Sequence, residues 1–231
     1  ADGRNGRLAD IQFQLRRVLE YATKVSARAI FVLGDIFKDR NPTAEHMWIF
    51  AKFVAECRDD GFELYIIPGN HDQDRLLRQI SYLRAFEPML GGDIHLITHP
   101  TVMPFAEYKI FFFPYIKSPQ EPALVDFLKM STPQDILVMH GIIAGSKAGL
   151  FEYEINDDDI ISTEVIKHLR LVLAGDIHQH QNFGNVWYPG SLERLTFNDE
   201  KDDKGFLDIE LDNGQIEVNF IKLNARRMIT L

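Results

Sequence analysis

A chain of 231 residues, 45% of them hydrophobic, is long enough to bury a sizeable core as one large α/β domain or two small ones. Its 34 acidic residues outnumber 25 basic ones for a formal net charge of −9, which excludes a globally basic coat for nucleic acid but not a local basic groove. One cysteine, Cys57, excludes an intramolecular disulfide and favours a reducing, intracellular setting, while no apolar run approaches the roughly 20 residues of a membrane span and no basic-then-apolar leader opens the chain.

The opening "ADGRNGRLAD" lacks an initiator Met and begins in loop-like chemistry, as though an upstream strand were left out. From Leu8, apolar residues at Ile11, Leu15, Val18, Leu19 and Ala22 fall three and four apart and predict a helix of about four turns. "AIFVLGD" (29–35) is a continuous apolar run ended by Gly, the pattern of a strand buried on both faces. A second helix then starts at Pro42-Thr43, carries Glu45 in its first turn and Cys57 as small core filler, and stops before Gly61. "FELYIIPGN" repeats the strand and stop, so the first 70 residues imply right-handed crossovers and a parallel sheet.

Further strands are expected at Ile94–Ile97, Lys109–Phe113, Ile136–Met139, Leu171–Ala174 and Val186–Tyr188, with helices around Asp74–Ala85, Glu121–Lys129 and Ser162–His168. The tail alternates apolar and polar residues on both sides of Asp212-Asn213-Gly214, a hairpin signature. No repeat, low-complexity tract or composition break divides the chain, so one domain is expected.

Three predicted strands end alike: "FVLGD" delivers Asp35, "YIIPGNHD" delivers Asn70, His71 and Asp72, and "LVLAGDIHQH" delivers Asp176 and His178. A fourth, "ILVMHG", delivers His140. Ligands of open parallel sheets sit beyond the carboxyl ends of the strands, so these loops are expected to meet. Carboxylate, amide and imidazole ligands without thiolate suit Mn²⁺, Fe²⁺ or Zn²⁺, and a carboxylate such as Asp35 can bridge two ions. His71 is placed to protonate a leaving oxygen or bond a phosphoryl group, with Asp72 orienting its ring. Alone, a strand-end Asp is usually a turn or cap and a lone His is usually just hydrogen-bonded; four such endings, each after an apolar strand, point to a metal hydrolase.

These residues resemble the calcineurin-like metallophosphoesterase superfamily, whose motifs are Asp-X-His, Gly-Asp, Gly-Asn-His-Asp/Glu, a strand-end His and Gly-His-X-His. Within it, "GDIFKDRNPTAEHMWIFAKF" and "YPGSLERLTFNDEKDDKGF" are similar to the SbcD-type double-strand-break repair nucleases. The resemblance implies an α/β sandwich of mostly parallel strands flanked by helices, closed by the C-terminal hairpin, spanning 1–231 with a small capping domain downstream of "NARRMITL". It also implies that Asp35 bridges two ions, Asn70, His140 and Asp176 hold one, His178 holds the other, and His71 is catalytic. Two positions depart from the pattern. Asp176 stands where the family usually has His, a harder ligand that should alter metal preference, and the first motif would fall before Ala1, with Asp10 no substitute because it ends no strand.

The leading functional expectation is a Mn²⁺-dependent nuclease acting on DNA in repair or recombination, cytoplasmic or nucleoid-associated. Lys38, Arg40, Arg75 and Arg78 are its candidate phosphate contacts, though single charges of this kind are commonly just solvated. Acidic runs at Asp157–Asp159 and Asp199–Asp203 would turn a duplex away. The resemblance further implies an SbcC-type ATPase partner and a homodimer through the region of Met47, Trp48, Phe50 and Phe53, residues that core packing explains equally well. The alternatives are a small-substrate phosphodiesterase or phosphatase sharing the centre, and a binding scaffold that keeps the fold without catalysis.

Overall fold

Strands that are apolar at every position are stable only between two covering layers, and that rule sorts this protein's core. The structure is a computed structural model that describes residues 6–38, 41–73, 82–117, 120–147 and 160–230. Its first half runs α1 (Gly6–Val25), β1 (Ala29–Leu33), α2 (Ala44–Asp59), β2 (Glu63–Ile67), β3 (Ile94–Leu96), β4 (Thr101–Phe105) and β5 (Tyr108–Phe113). There follow α3 (Gln120–Phe127), β6 (Ile136–His140), the short parallel pair β7 (Ile142–Ile143) and β8 (Ile160–Ile161), α4 (Thr163–Ile166) and β9 (Leu171–Gly175). β10 (Gln181–Phe183), β11 (Val186–Tyr188) and the long hairpin β12 (Lys204–Asp212) and β13 (Gln215–Leu223) complete the described chain.

Two sheets face each other. One is parallel, in the order β1-β2-β3; the other is mixed, in the order β10-β11-β9-β6-β5-β4. Alternation assigns each residue to a layer. Leu64 and Ile66 of β2 pack with Leu19 and Ala22 of α1 and Phe50, Phe53 and Val54 of α2. Their neighbours Tyr65 and Ile67 turn the other way, joining Ile110, Phe112, Ile136, Val138, Leu171 and Leu173 between the sheets. On the far side Phe111, Phe113, Leu137, Met139, Val172 and Ala174 pack under Leu124 of α3 and Ile166 of α4. The layers are therefore helix, sheet, sheet, helix. An aromatic stack spans the inner gap, with Tyr65 5.0 Å from Phe31 and 5.4 Å from Phe112, ring centroid to centroid.

The sequence-based elements are recovered with informative differences. Thr43 caps α2 by accepting from the backbone N–H of His46, whose Nδ1 accepts from the Thr43 N–H in return, so the capping box uses an imidazole. Asn213 and Gly214 take positive φ of 48° and 79° at the tip of the C-terminal hairpin, as the Asn-Gly pair predicts. That hairpin lays Leu207, Ile209, Leu211, Ile216 and Val218 against the inter-sheet cluster. β4 went unpredicted because its Pro104 argues against a strand; it is tolerated at the sheet edge. β10, "QNF", has no apolar run to signal it. Residues 74–81 of the expected helix Asp74–Ala85 lie outside the described residues, and its end falls in a 3₁₀ segment, Tyr82–Met89.

Cys57 is fully buried and burial pushes its thiol up to about 12, as core filler should behave. Of the four residues offered for a homodimer, Phe50 and Phe53 are in the core and Met47 packs against it, while Trp48 is 57% exposed beside Lys52. Among the described residues no helix is long and apolar enough to cross a membrane.

The stack between the sheets makes Phe112 a sensitive position. Phe112→Ala should cost about 3–5 kcal/mol in denaturant unfolding, whereas Val102→Ala, at a 43% exposed edge residue, should change stability by less than about 0.5 kcal/mol.

Candidate metal centre

The carboxyl ends of β1 and β2 in one sheet and of β6 and β9 in the other meet at one place. A hydrogen bond stitches β6 to β1: His140 Nδ1, at the end of β6, lies 2.6 Å from the carbonyl oxygen of Leu33, the last residue of β1. A carbonyl only accepts, so Nδ1 carries the proton and the neutral ring presents its lone pair at Nε2. That nitrogen faces three oxygens: Asn70 Oδ1 at 3.3 Å, Asp35 Oδ1 at 3.5 Å and Asp176 Oδ1 at 3.7 Å. The ligand atoms offered by Asp35, His140 and Asp176 all lie within 4.8 Å of one another. His140 is fully buried; the two carboxylates keep about a fifth of their surface in solvent.

Close approach makes this geometry possible. A Cβ on Gly69 would stand 2.2 Å from Asp35 Oδ1 and 2.6 Å from the His140 ring, and one on Gly175 would stand 2.0 Å from the Leu33 carbonyl oxygen. Glycine is required at both places. Two carboxylates also bend the backbone: Asp35 has a φ of 52° and Asp176 a φ of 100°.

The loops after β1 and β2 are laced together. The His71 N–H donates to Asp35 Oδ1 at 2.9 Å, and His71 Nδ1 donates to the Lys38 carbonyl at 2.6 Å, leaving Nε2 of that half-exposed ring for other partners. The ring is oriented by that carbonyl, which corrects the expectation that Asp72 orients it. Asp72 turns inward instead, fully buried, with its oxygens accepting from the Gly69 and Phe37 N–H groups. Its role is to bind the Asp35 loop to the Asn70 loop. Tyr115, just beyond β5, braces the same loop: its N–H donates to Pro68, its carbonyl accepts from Gln73, and its ring sits edge-on to His140. Sequence reading missed Tyr115, although "FFFPY" is one more apolar run ending at the same rim.

The electrostatics report crowding. Burial, then the charge of Asp35, pushes the Asp72 carboxyl up to about 6. Burial likewise raises Asp176, helped by Asp35 and opposed by His140. Burial alone would lower His140, but Asp35 and Asp176 outweigh it and hold the imidazole above its ordinary value. Lone pairs and negative charge converge with few donors between them, and oxygen-rich ligands with one imidazole suit a hard or borderline divalent cation. The donor set therefore fits a metal. His178, two residues past Asp176, is half-buried and close enough to act on the Asp176 charge, as is His71.

The candidate phosphate contacts divide. Lys38 is exposed at the rim, on the residue whose carbonyl holds the His71 ring; Arg40, Arg75 and Arg78 lie outside the described residues, as does the acidic run 157–159. The run Asp199–Asp203 is not the free negative patch expected. Asp199 is buried, Asp199 and Asp202 lie 3.5 Å from the Lys204 ammonium, and Asp203 pairs with Lys222. Asp10 lies within α1, at no strand end, and pairs with Arg226.

Comparisons with known proteins show what the chain is similar to. The profile described as calcineurin-like phosphoesterase matches residues 8–180. Exonuclease subunit 1 of Enterobacteria phage T4 is 24% identical over 83% of this chain and 56% of its own length. The DNA double-strand break repair protein Mre11 of Methanosarcina mazei is 27% identical over 92% of this chain and 34% of its own. A subunit of nuclease SbcCD from Staphylococcus saprophyticus is 21% identical over 97% of this chain and 66% of its own. The chain thus spans from about a third to just under two thirds of these relatives. A solved structure 13% identical superposes with a TM-score of 0.54 over 94% of each chain, a likeness of fold.

Two outcomes follow for the metal-free protein. A carboxyl raised in the folded state stabilises the fold fully below its unfolded value near 3.8, and that contribution is lost as pH rises through about 6. Chelator-treated protein should therefore lose stability on the order of 3 kcal/mol at this residue between pH 4 and 7, and the slope should flatten in Asp72→Asn when the two are compared by thermal unfolding. Gly175→Ala, which drives a methyl into the Leu33 carbonyl, should weaken any divalent-cation binding at least tenfold in calorimetric titrations that use Mn²⁺ as the probe.

Proposed function

The chain belongs to the calcineurin-like phosphoesterase family, and on that premise we propose that it is a nuclease subunit that hydrolyses phosphodiester bonds in DNA with two Mn²⁺ ions. One observation carries the reading: Asp35, Asn70, His140 and Asp176, from four strand ends, direct their ligand atoms at one point beside the half-exposed ring of His71. Asn70, His140 and Asp176 would hold one ion, Asp35 would be shared, and His178 would serve the second. Bound divalent cations supply Lewis-acid charge to a phosphoryl group.

The chain's own groups do the rest. Asp72 and the Lys38 carbonyl fix the loop and ring of His71, so that Nε2 is the nitrogen left to meet substrate. Protonated there, it donates to the leaving oxygen or to a phosphoryl oxygen. Lys38 supplies positive charge at the rim where a backbone phosphate would pass. Asp176 adds a hard oxygen where a second imidazole would be softer, favouring Mn²⁺ over Zn²⁺.

DNA as substrate is supported by relatives named as an exonuclease subunit, a break-repair protein and a nuclease subunit. Two of those names are of subunits, which favours a partner here as well, an ATPase of the SbcC type by resemblance. The exposed Trp48 on α2 is the residue of its cluster free to meet a second copy.

Cleavage of duplex and single-stranded DNA with Mn²⁺ should be compared with that of cyclic nucleotides and an aryl phosphodiester. DNA should be preferred; turnover of the small esters alone would replace the nuclease reading with a small-substrate phosphodiesterase. His71→Ala should retain metal while losing at least about a hundredfold in rate, whereas Asp35→Ala should lose both. Full activity in His71→Ala would remove that residue from the mechanism.

A further inference from the structure

Beyond the matched residues 8–180, one ammonium is buried completely: Lys204, the first residue of β12. A buried charge is unfavourable unless it is paired and hydrogen-bonded, so its partners show what it is for. Its Nζ donates to the carbonyl of His178 at 2.9 Å and lies 3.5 Å from both Asp199 Oδ2 and Asp202 Oδ2.

The counter-ions are themselves fixed. The Arg194 guanidinium donates to the carbonyls of Asp199, Glu200, Asp202 and Ala225, and Asp199 Oδ2 accepts from the Leu195 N–H. The target carbonyl is held from a second side by the Ser191 N–H at 3.0 Å. Gly190, with φ of 78°, lets the two segments touch: a Cβ there would stand 2.7 Å from the His178 carbonyl oxygen and from the His180 N. On either side of His178, Ile177 is set in the core, and His180 donates Nδ1–H to the Tyr188 carbonyl with its ring stacked 3.8 Å from Phe220.

We propose that Lys204 is a positioning residue for His178: its ammonium, braced by Asp199 and Asp202, fixes the His178 carbonyl and so the imidazole presented to a divalent cation. This rests on the phosphoesterase reading of the centre. It explains why a buried cation, rather than an apolar side chain that would pack more readily, occupies the start of the hairpin. It also gives the segment 190–204 a task at the site.

The test is Mn²⁺ titration of the intact chain followed by electron paramagnetic resonance of free Mn²⁺, with histidine-labelled NMR of the metal-free protein. In Lys204→Met, one of two Mn²⁺ equivalents should weaken ten- to a hundredfold and the other stay within about twofold, while the His178 ring resonances move and those of His71 and His140 do not. Lys204→Arg, which restores a cationic donor, should recover most of the loss. Asp202→Asn should show the same pattern at smaller size, and it carries the test if Lys204→Met does not fold. Unchanged Mn²⁺ affinity and unchanged His178 resonances in these variants would overturn the proposal. If the wild-type protein binds fewer than two ions, the two-ion reading fails separately, and the His178 resonances decide on Lys204: displaced in the variants they uphold it, and unmoved they overturn it.

Discussion

Four acceptors aimed at one another govern this structure. Because the Leu33 carbonyl accepts a hydrogen bond from the Nδ1–H of His140, Nε2 faces Asn70, Asp35 and Asp176 as a lone pair among oxygens. Such a cluster is repulsive unless a proton or a cation stands in it. Asp35 and Asp176 raise His140 against its burial, while burial, with help from Asp35, raises Asp72 and Asp176, so protonation is one relief of that crowding and a divalent ion would be the other. Neither could act unless the surroundings kept the acceptors from swinging apart, which is why the loops behind them are so heavily tied.

That confinement comes from two sheets. The expectation from sequence was a crevice beyond one parallel sheet, but Asp35 and Asn70 leave one sheet while His140 and Asp176 leave the other. Convergence follows all the same, because both sheets present carboxyl ends to the same rim. Leu33 closes the ladder between β1 and β2, so its carbonyl is available to reach across to His140. The aromatic stack of Phe31, Tyr65 and Phe112 sets the spacing of the sheets below, and with it the distance across which that bond must form.

What could be seen in the sequence is what side-chain periodicity and turn chemistry encode. Continuous apolar strands, their Gly-led endings and the Asn-Gly hairpin are local patterns, and they located Asp35, Asn70, His140 and Asp176 at strand ends that the structure brings together. Features that depend on the backbone of a distant segment leave no local trace. Nothing near His71 indicates that its ring bonds the carbonyl of Lys38 rather than the neighbouring Asp72, and nothing near Lys204 indicates that it reaches back to His178. The acidic run Asp199–Asp203 misled for the same reason: its counter-charges and N–H donors are set by the fold.

Strain and charge act together at the centre. Asp35 and Asp176 hold positive φ, a conformation costing about 1–3 kcal/mol for a residue with a side chain, and each follows a glycine that lets the chain turn sharply out of its strand. An Asp placed directly in the strand would follow the alternation and point to one sheet face; displaced past a glycine, Asp35 instead lies 3.5 Å from His140 of the opposing sheet and Asp176 lies 3.7 Å from the same ring. The hydrogen bonds of Asp72, Tyr115 and the Leu33 carbonyl tie together the segments that carry this strain and charge. Ligands held in this way would need little reorganisation to close on a cation.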